Sequence, residues 1–252
     1  MENNIPIIET RGLDEKGIIT AEMLLSEYEK LPKHITVAVM LFDKSPSEKI
    51  LKHCKLLFNF VGASFIIPQY IYKDSIVVSY APLGSAAAAG LLEELLTFGI
   101  KKVIACGSSG LVGDFDPSNF LLVNKAIRDE GLSYHYLEPS TYVETSEELN
   151  NLISIELDKM NLKYQEGITW TTDAFYRETK TRVEIRKKEG AIAVEMECAG
   201  LAAVAKYRNI QFSQLLYFSD IVKQDAWSGF LEERPNIKQK INEVVISIAQ
   251  KI

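Results

Sequence analysis

The sequence has little of what metal sites, disulfide frameworks and membrane spans require. Its 252 residues include only three cysteines and three histidines. Neither set shows metal-ligand spacing, and an odd number of scattered cysteines favours free thiols over disulfides. No apolar run approaches the roughly 20 residues of a membrane helix. The sequence therefore predicts no metal, no disulfide framework and no membrane partner.

Positive charge is also scarce. The 28 lysines and arginines are outnumbered by 34 acids, which gives a net charge of −6. Nucleic-acid binding depends on clustered lysine and arginine, and no basic block is present, so no nucleic-acid partner is expected. The first residues show no cationic segment followed by an apolar one. We therefore expect no signal peptide and a cytoplasmic protein.

Short apolar runs alternate with amphipathic runs along the chain, without repeats or a long linker. This alternation is typical of an α/β fold whose central, mostly parallel or mixed sheet is covered by helices on both faces. The predicted strands span 35–41, 75–81, 102–106, 120–127, 192–194 and 212–218, and the predicted helices span 47–58, 86–98, 146–160, 199–207 and 237–248. Ligands of such sheets bind at the carboxyl ends of the strands, where polar clusters follow several of these runs.

The most informative segment places Glu195, Met196 and Glu197 between an apolar strand and an apolar helix. Two acids in such apolar surroundings need partners, because burying an unpaired carboxylate is costly. A sugar would supply hydroxyl donors, and the methionine would offer it an apolar surface. The simpler interpretation is a helix N-terminus, where unpaired backbone N–H groups favour glutamate.

Two clusters of small residues are candidates for binding an anion. Gly107, Ser108, Ser109 and Gly110 follow a predicted strand. There, backbone N–H groups can face a phosphate and the hydroxyls can bind it or orient water, although an ordinary turn is the simpler interpretation. Gly84-Ser85, at a helix start, is a second possible anion site.

Two further clusters could contact a base. Phe175 and Tyr176 follow a polar turn and could stack on a flat ring, although aromatic side chains more often lie in a core. Ser219-Asp220 ends a strongly apolar strand. A carboxyl group in that position is a candidate proton donor, and its alternative role is to cap the segment that follows.

In combination these motifs resemble the nucleoside phosphorylase family. The motifs occur in the order Gly-Ser-Ser-Gly (107–110), Ala-Ile-Arg-Asp-Glu-Gly (126–131), Thr-Asp-Ala-Phe-Tyr (172–176), Val-Glu-Met-Glu (194–197) and Ser-Asp (219–220). The family includes purine nucleoside and uridine phosphorylases and methylthioadenosine/S-adenosylhomocysteine nucleosidases. The resemblance covers the chain from about residue 35 to the end. It implies a single domain over residues 1–252, a three-layer α/β/α sandwich with a central mixed sheet, which breaks the bond between ribose C1′ and a base nitrogen.

The resemblance also implies roles for individual residues. Glu197 would hold the ribose hydroxyls, Met196 would pack on the sugar, and Phe175 would stack on the base near Glu195. Asp220 matches the acid that protonates N7 in purine-type members, so a purine is the expected base, and Asp220 and Glu197 are the expected catalytic residues. The remaining residues expected in the substrate site are Ser108, Ser109, Gly110 and Ser219, the two serines at 108 and 109 on the phosphate or water side.

The arginines that hold phosphate in the phosphorylases of this family have no counterpart here. Phe42 and Pro46 occupy the glycine and arginine positions of the first segment, Ala105 occupies the second arginine position, and the third falls near Ser64 or Phe65. Phosphate is normally held by charge-assisted hydrogen bonds. The candidates left to bind phosphate are Gly84, Ser85, Lys44 and Arg177.

Three functional hypotheses follow. The first is a phosphorylase that uses inorganic phosphate as co-substrate, and no other cofactor. The second is a nucleosidase that uses water, whose activating acid would come from the N-terminal part of the chain, with Glu9, Asp14 and Asp43 as candidates. The third is a non-catalytic nucleoside-binding or storage protein. The resemblance further implies a small-molecule nucleoside as partner and a homodimer or homohexamer.

Overall fold

The computed structural model describes residues 5–43, 46–222, 227–229 and 237–252. The helices in these ranges are α1 Ala21–Leu24, α2 Glu48–Leu51, α3 Ser85–Thr97, α4 Glu147–Lys159, α5 Lys180–Lys188, α6 Cys198–Tyr207 and α7 Ile237–Ala249. The strands are β1 Val37–Leu41, β2 Cys54–Gly62, β3 Phe65–Tyr72, β4 Ile76–Tyr80, β5 Lys102–Leu111, β6 Phe120–Asp129, β7 Tyr142–Glu144, β8 Tyr164–Thr172, β9 Ala191–Glu195, β10 Gln211–Val222 and β11 Trp227–Gly229. Short 3₁₀ turns span Pro6–Ile8, Leu132–His135 and Phe175–Arg177.

The strands form one mixed sheet in the order β11-β10-β6-β8-β9-β5-β1-β4-β3-β2, with β7 beside β6. β10 also pairs with β5, so β10, β6, β8, β9 and β5 close into a ring. β1 pairs in parallel with β4 and β5, whereas β9 and β5 are antiparallel. The prediction of an α/β fold with a central mixed sheet is confirmed.

Helices cover both faces of the sheet, because side chains alternate along the buried strands. In β1, Ala38 and Met40 belong to the core that contains α3 and α6. Val39 and Leu41 point to the opposite side and join the core that contains α4 and α7. No helix in the described ranges is long and apolar enough to cross a membrane.

The predicted helix over 47–58 is largely wrong. Only Glu48–Leu51 is helical, and β2 begins at Cys54 and pairs antiparallel with β3. The helical spacing of Ile50, Leu51, Cys54 and Leu57 suggested one continuous amphipathic helix. Strand pairing outweighs that spacing, because β2 buries Phe58 and Phe60 with a period of two while bonding to β3.

Two polar clusters that were expected after strands lie within them. Gly107–Gly110 belongs to β5, whose Gly110 pairs with Val194 of β9, so the turn interpretation is wrong. Ser219 and Asp220 belong to β10, at a shift in register between Phe218 and Asp220. The pairing partners of both strands continue past the predicted strand ends, which keeps the backbone extended through the small and polar residues.

Candidate active site

A cavity of about 510 Å³ lies where β5, β10, the β9–α6 junction and the turn Phe175–Arg177 meet. The described residues that line it are Leu83, Ser108, Ser109, Gly110, Phe175, Tyr176, Glu178, Val194, Glu195, Met196, Glu197, Ser219, Asp220 and Val222. The structure thus brings together every residue expected to be catalytic or to contact the substrate. The motifs converge because β5, β9 and β10 are neighbours in the ring.

Glu195 is bonded to protein donors on both carboxylate oxygens. Its Oε2 accepts hydrogen bonds from the backbone amides of Glu197 at 2.8 Å and Cys198 at 2.7 Å. Its Oε1 accepts one from the hydroxyl of Thr171 at 2.6 Å. For this residue the helix-start interpretation is correct, since the carboxylate satisfies amides at the beginning of α6. A contact between Glu195 and the base remains a prediction.

Glu197 has a different environment from that of Glu195. Its Oε1 accepts a hydrogen bond from the amide of Gly84 at 2.7 Å, and its Oε2 accepts a longer one from the amide of Met196 at 3.3 Å. The residue is only 4% exposed. Burial, followed by the charge of Glu195, raises the pKa of Glu197 to about 8. Glu197 therefore lines the cavity as a buried carboxyl group whose pKa is raised by its surroundings.

Three of the residues proposed to bind phosphate, Gly84, Ser85 and Arg177, lie outside the described lining of this cavity. The amide of Gly84, whose φ is 89°, donates a hydrogen bond to the carboxylate of Glu197. The hydroxyl of Ser85 donates one to the carbonyl of Met196 at 2.8 Å. Arg177 is exposed on the 3₁₀ turn. Lys44 lies outside the described residues. A phosphate contact by any of them remains a prediction, and two of the four already hold the Glu-Met-Glu segment in place.

Asp220 lies over the glycine at the end of the small-residue cluster. The hydroxyl of Ser219 donates to Asp220 Oδ1 at 2.7 Å. A Cβ at Gly110 would lie 2.9 Å from Val222 and 3.3 Å from Asp220 Oδ2. A side chain at position 110 would collide with Val222 of β10. Glycine at this position therefore allows β10, with Asp220, to lie this close to β5. The hydroxyl of Ser109 donates a hydrogen bond to the carbonyl of Tyr217 at 3.3 Å.

The two aromatic residues of the polar turn do not lie in the core. Phe175 is 49% exposed and Tyr176 is 88% exposed, although both line the cavity. Their ring centroids are 4.1 Å apart. An exposed aromatic face beside a cavity can stack on a flat, conjugated ring.

Sequence reasoning missed Glu178. It follows the turn Phe175–Arg177 and lines the cavity with its carboxyl partly buried. Burial, with the charge of Asp220, raises the pKa of Glu178 to about 7. The one available signal was an acid three residues after the expected base-stacking aromatic. Among the described lining residues there are four carboxyl groups and no lysine or arginine.

The positions of Phe42 and of the N-terminal acids matter for the choice between phosphate and water as the group that accepts the sugar. A Cβ at Gly107 would lie 3.2 Å from the ring of Phe42, so this ring fills the space over the start of the small-residue cluster. None of the candidate water-activating acids, Glu9, Asp14 or Asp43, is among the described lining residues. Within the described ranges no cluster of histidine, cysteine and acid residues could hold a metal ion.

The chain is an α/β protein with a mixed, partly closed sheet and a cavity at one end of that sheet. Proteins of this class bind ligands at that end of the sheet. The family model described as the phosphorylase superfamily matches residues 36–250. The chain belongs to the phosphorylase superfamily.

Individual relatives include both phosphorylases and nucleosidases. A DeoD-type purine nucleoside phosphorylase of Buchnera aphidicola subsp. Schizaphis graminum is 28% identical over 163 residues, covering 64% of this chain and 69% of that protein. The aminodeoxyfutalosine nucleosidase of Helicobacter pylori is 27% identical over 192 residues, covering 71% and 83%. A crystal structure of the Helicobacter pylori 5′-methylthioadenosine/S-adenosyl homocysteine nucleosidase superposes with a TM-score of 0.71 at 21% identity, covering 88% of this chain and 100% of that one.

Proposed function

We propose that this protein is an enzyme that breaks the N-glycosidic bond of a purine nucleoside. The observation that carries the proposal is the convergence of Glu197, Asp220 and the exposed ring of Phe175 on one cavity. Each supplies a group that this reaction needs: a carboxyl group beside the sugar, a proton donor for the base and an aromatic surface on which the base can stack.

Glu197 acts on the ribose. A transition state for breaking the C1′–N bond carries positive charge on the sugar, so a buried carboxyl beside it is stabilised in the ionised form as the bond stretches. The donors from Gly84 and Met196 hold this carboxyl in a fixed position. Met196, partly buried, offers the sugar an apolar surface.

Asp220 acts on the base. A purine anion is a poor leaving group, and protonation of N7 as the bond breaks allows the base to leave neutral. The hydroxyl of Ser219 fixes one carboxyl oxygen of Asp220, and the other lies over Gly110. Phe175 would hold the plane of the base against the cavity.

The acid-rich lining supports water as the group that accepts the ribose. A phosphate dianion entering beside Glu178, Glu195, Glu197 and Asp220 would meet four carboxyl groups, and the described lining offers it no cation. The Helicobacter pylori relative named as a nucleosidase is consistent with this choice. Phosphate is the second candidate, supported by the relative named as a purine nucleoside phosphorylase.

The test is release of free base from adenosine, inosine, guanosine, 5′-methylthioadenosine and uridine, with and without phosphate. We expect a purine to be released in phosphate-free buffer with free sugar as product. Release that requires phosphate and yields a sugar phosphate would assign the protein to the phosphorylases. No release from any nucleoside, with a nucleoside still bound in calorimetry, would support the non-catalytic binding protein instead.

A further inference from the structure

Thr171, near the end of β8, holds the segment that carries both glutamates of the site. It is fully buried and lies opposite Glu195 in the parallel pairing of β8 with β9. Its hydroxyl donates a hydrogen bond to Glu195 Oε1 at 2.6 Å and accepts one from the backbone amide of Ala199 at 3.0 Å. Amides in the first turn of a helix have no partner within that helix. Thr171 therefore ties both the last residue of β9 and the first turn of α6 to β8.

Glu197 lies between the two residues that Thr171 holds, Glu195 and Ala199. The carboxylate of Glu195 accepts hydrogen bonds from the amides of Glu197 at 2.8 Å and Cys198 at 2.7 Å. A chain of hydrogen bonds thus runs from the hydroxyl of Thr171 through the Glu195 carboxylate to the backbone of Glu197. Thr171 is not among the described residues that line the cavity, so its influence on Glu197 passes through this chain and through the start of α6.

The same end of β8 also positions the base side of the cavity. The hydroxyl of Thr172 accepts a hydrogen bond from the amide of Ala174 at 3.2 Å, and Asp173 Oδ2 accepts one from the amide of Gly131 at 2.8 Å. These bonds order the chain between β8 and the 3₁₀ turn that begins at Phe175. The end of β8 is therefore a common support for the carboxyl group beside the sugar and for the aromatic ring beside the base.

We propose that Thr171 is a positioning residue, whose hydroxyl fixes Glu197 where its carboxyl stabilises the positive charge that develops on the sugar. This inference rests on the proposed function. Thr171 acts through Glu195 and the start of α6, and not on the substrate. The charge that Glu197 stabilises appears only as the C1′–N bond breaks, so a displaced carboxyl lowers kcat more than it weakens substrate binding.

The experiment compares kcat and KM on the best purine nucleoside for the wild-type protein, Thr171→Val and Thr171→Ser. Thr171→Val keeps the shape of the side chain but removes the hydroxyl, which leaves Glu195 with one donor fewer and the amide of Ala199 without its acceptor. We expect kcat to fall about tenfold and KM to change by less than about twofold. Thr171→Ser keeps the hydroxyl and should restore kcat to within about twofold of the wild type.

Thr169 provides a matched control on the same strand. It is also a fully buried threonine of β8, and its hydroxyl makes long hydrogen bonds, to the carbonyl of Ala193 at 3.5 Å and to Glu195 Oε1 at 3.4 Å. Thr169→Val should therefore keep kcat within about twofold of the wild type. Melting temperatures are measured for every variant. If Thr171→Val does not fold, Thr171→Ala removes the same hydroxyl with a smaller side chain and should show the same loss of kcat.

A double variant tests whether Thr171 acts through Glu197. Glu197→Gln alone should lower kcat about a hundredfold. Adding Thr171→Val should lower it by less than about twofold further, whereas independent effects would multiply to about a thousandfold. Multiplied effects, wild-type kcat in Thr171→Val, or an equal loss in Thr171→Ser or Thr169→Val would overturn the positioning role. Absence of base release by the wild-type protein would instead overturn the proposed function, and this inference with it.

Discussion

The carboxylate of Glu195 accepts a hydrogen bond from the backbone amide of Glu197 at 2.8 Å, so one acid of the motif holds the backbone of the other. The side chain of Glu197 is then held from the opposite direction by the amide of Gly84 at 2.7 Å. Two glutamates that look equivalent in the sequence therefore have different tasks. Glu195 organises the start of α6, and Glu197 presents its carboxyl to the cavity.

Removal of the Glu195 carboxyl should destabilise the fold. Glu195→Ala leaves the amides of Glu197 and Cys198 and the hydroxyl of Thr171 without their acceptor in a buried site. We expect the free energy of unfolding to fall by about 3 kcal/mol, measured by urea denaturation. Glu166→Ala, at an exposed position of β8, is the control and should stay close to the wild type. A Glu195→Ala protein as stable as the control would show that this carboxylate does not organise the helix start.

Replacing the carboxyl group of Glu197 with an amide should impair turnover and leave the fold intact. In Glu197→Gln the side-chain oxygen can still accept a hydrogen bond from Gly84, but the group cannot carry the negative charge that stabilises the positive charge developing on the sugar. We expect about a hundredfold loss of kcat on the best nucleoside, on the order of 3 kcal/mol of transition-state stabilisation. The thermal melting temperature, measured in parallel, should not fall below that of the wild type. Wild-type turnover in this variant would refute the role on the ribose, and early melting would indicate a structural role instead.

The raised pKa of Glu197 also predicts a pH dependence of stability. Folding raises the pKa of this group from 4.5 to about 8, so the folded state binds the proton more tightly than the unfolded state does. Its contribution is fully present below pH 4.5 and is lost as the pH rises through about 8. The free energy of unfolding of the wild type, relative to Glu197→Gln, should therefore fall across this window, by at most about 1.4 kcal/mol per pH unit. Urea titrations of both proteins at several pH values measure the difference, and parallel curves would contradict the assignment.

Replacement of the base-side acid should affect substrates unequally. Asp220→Asn can still accept the hydrogen bond from Ser219, but it cannot transfer a proton. We expect a loss of about 10²- to 10⁴-fold on adenosine- or inosine-type substrates and a much smaller loss on a riboside with an activated leaving group. Initial rates on the two substrate types provide the comparison. Equal losses would leave Asp220 as a binding or structural residue, and activity confined to uridine would overturn the purine assignment.

The elements that could be predicted from the sequence are those whose local pattern and long-range packing agree. The helix expected over 86–98 is observed as Ser85–Thr97, with Gly99 in the left-handed conformation just beyond it at φ 97°. The strand expected over 75–81 is observed as Ile76–Tyr80, and every one of its residues is buried. In the helix the spacing of the apolar residues, and in the strand their continuous run, matches the surface that the fold buries.

The elements that were mispredicted depend on partners distant in the sequence. Cys54 begins a strand because β3 pairs with it, although the preceding residues have helical spacing. Gly107–Gly110 remains extended because β10 pairs with it on one side and Val194 pairs with Gly110 on the other. Glu178 was missed because neither a motif nor a periodic pattern marks it, and only the fold brings it to the cavity that Asp220 also lines.

The closed ring of β10, β6, β8, β9 and β5 has a consequence for the order of folding. The pairing that joins β10 to β5 connects Lys102 with Gln211, so the ring cannot close until the later strand has been synthesised and released. Contacts between such distant segments slow the folding of a chain, because the loop between them must close before the pairing stabilises it. During synthesis from the N-terminus, the edge of β5 that pairs with β10 therefore stays unpaired until β10 has been made. Ser108 on β5 and Asp220 on β10 lie on two sides of the cavity, so the cavity cannot form before β10 has been synthesised.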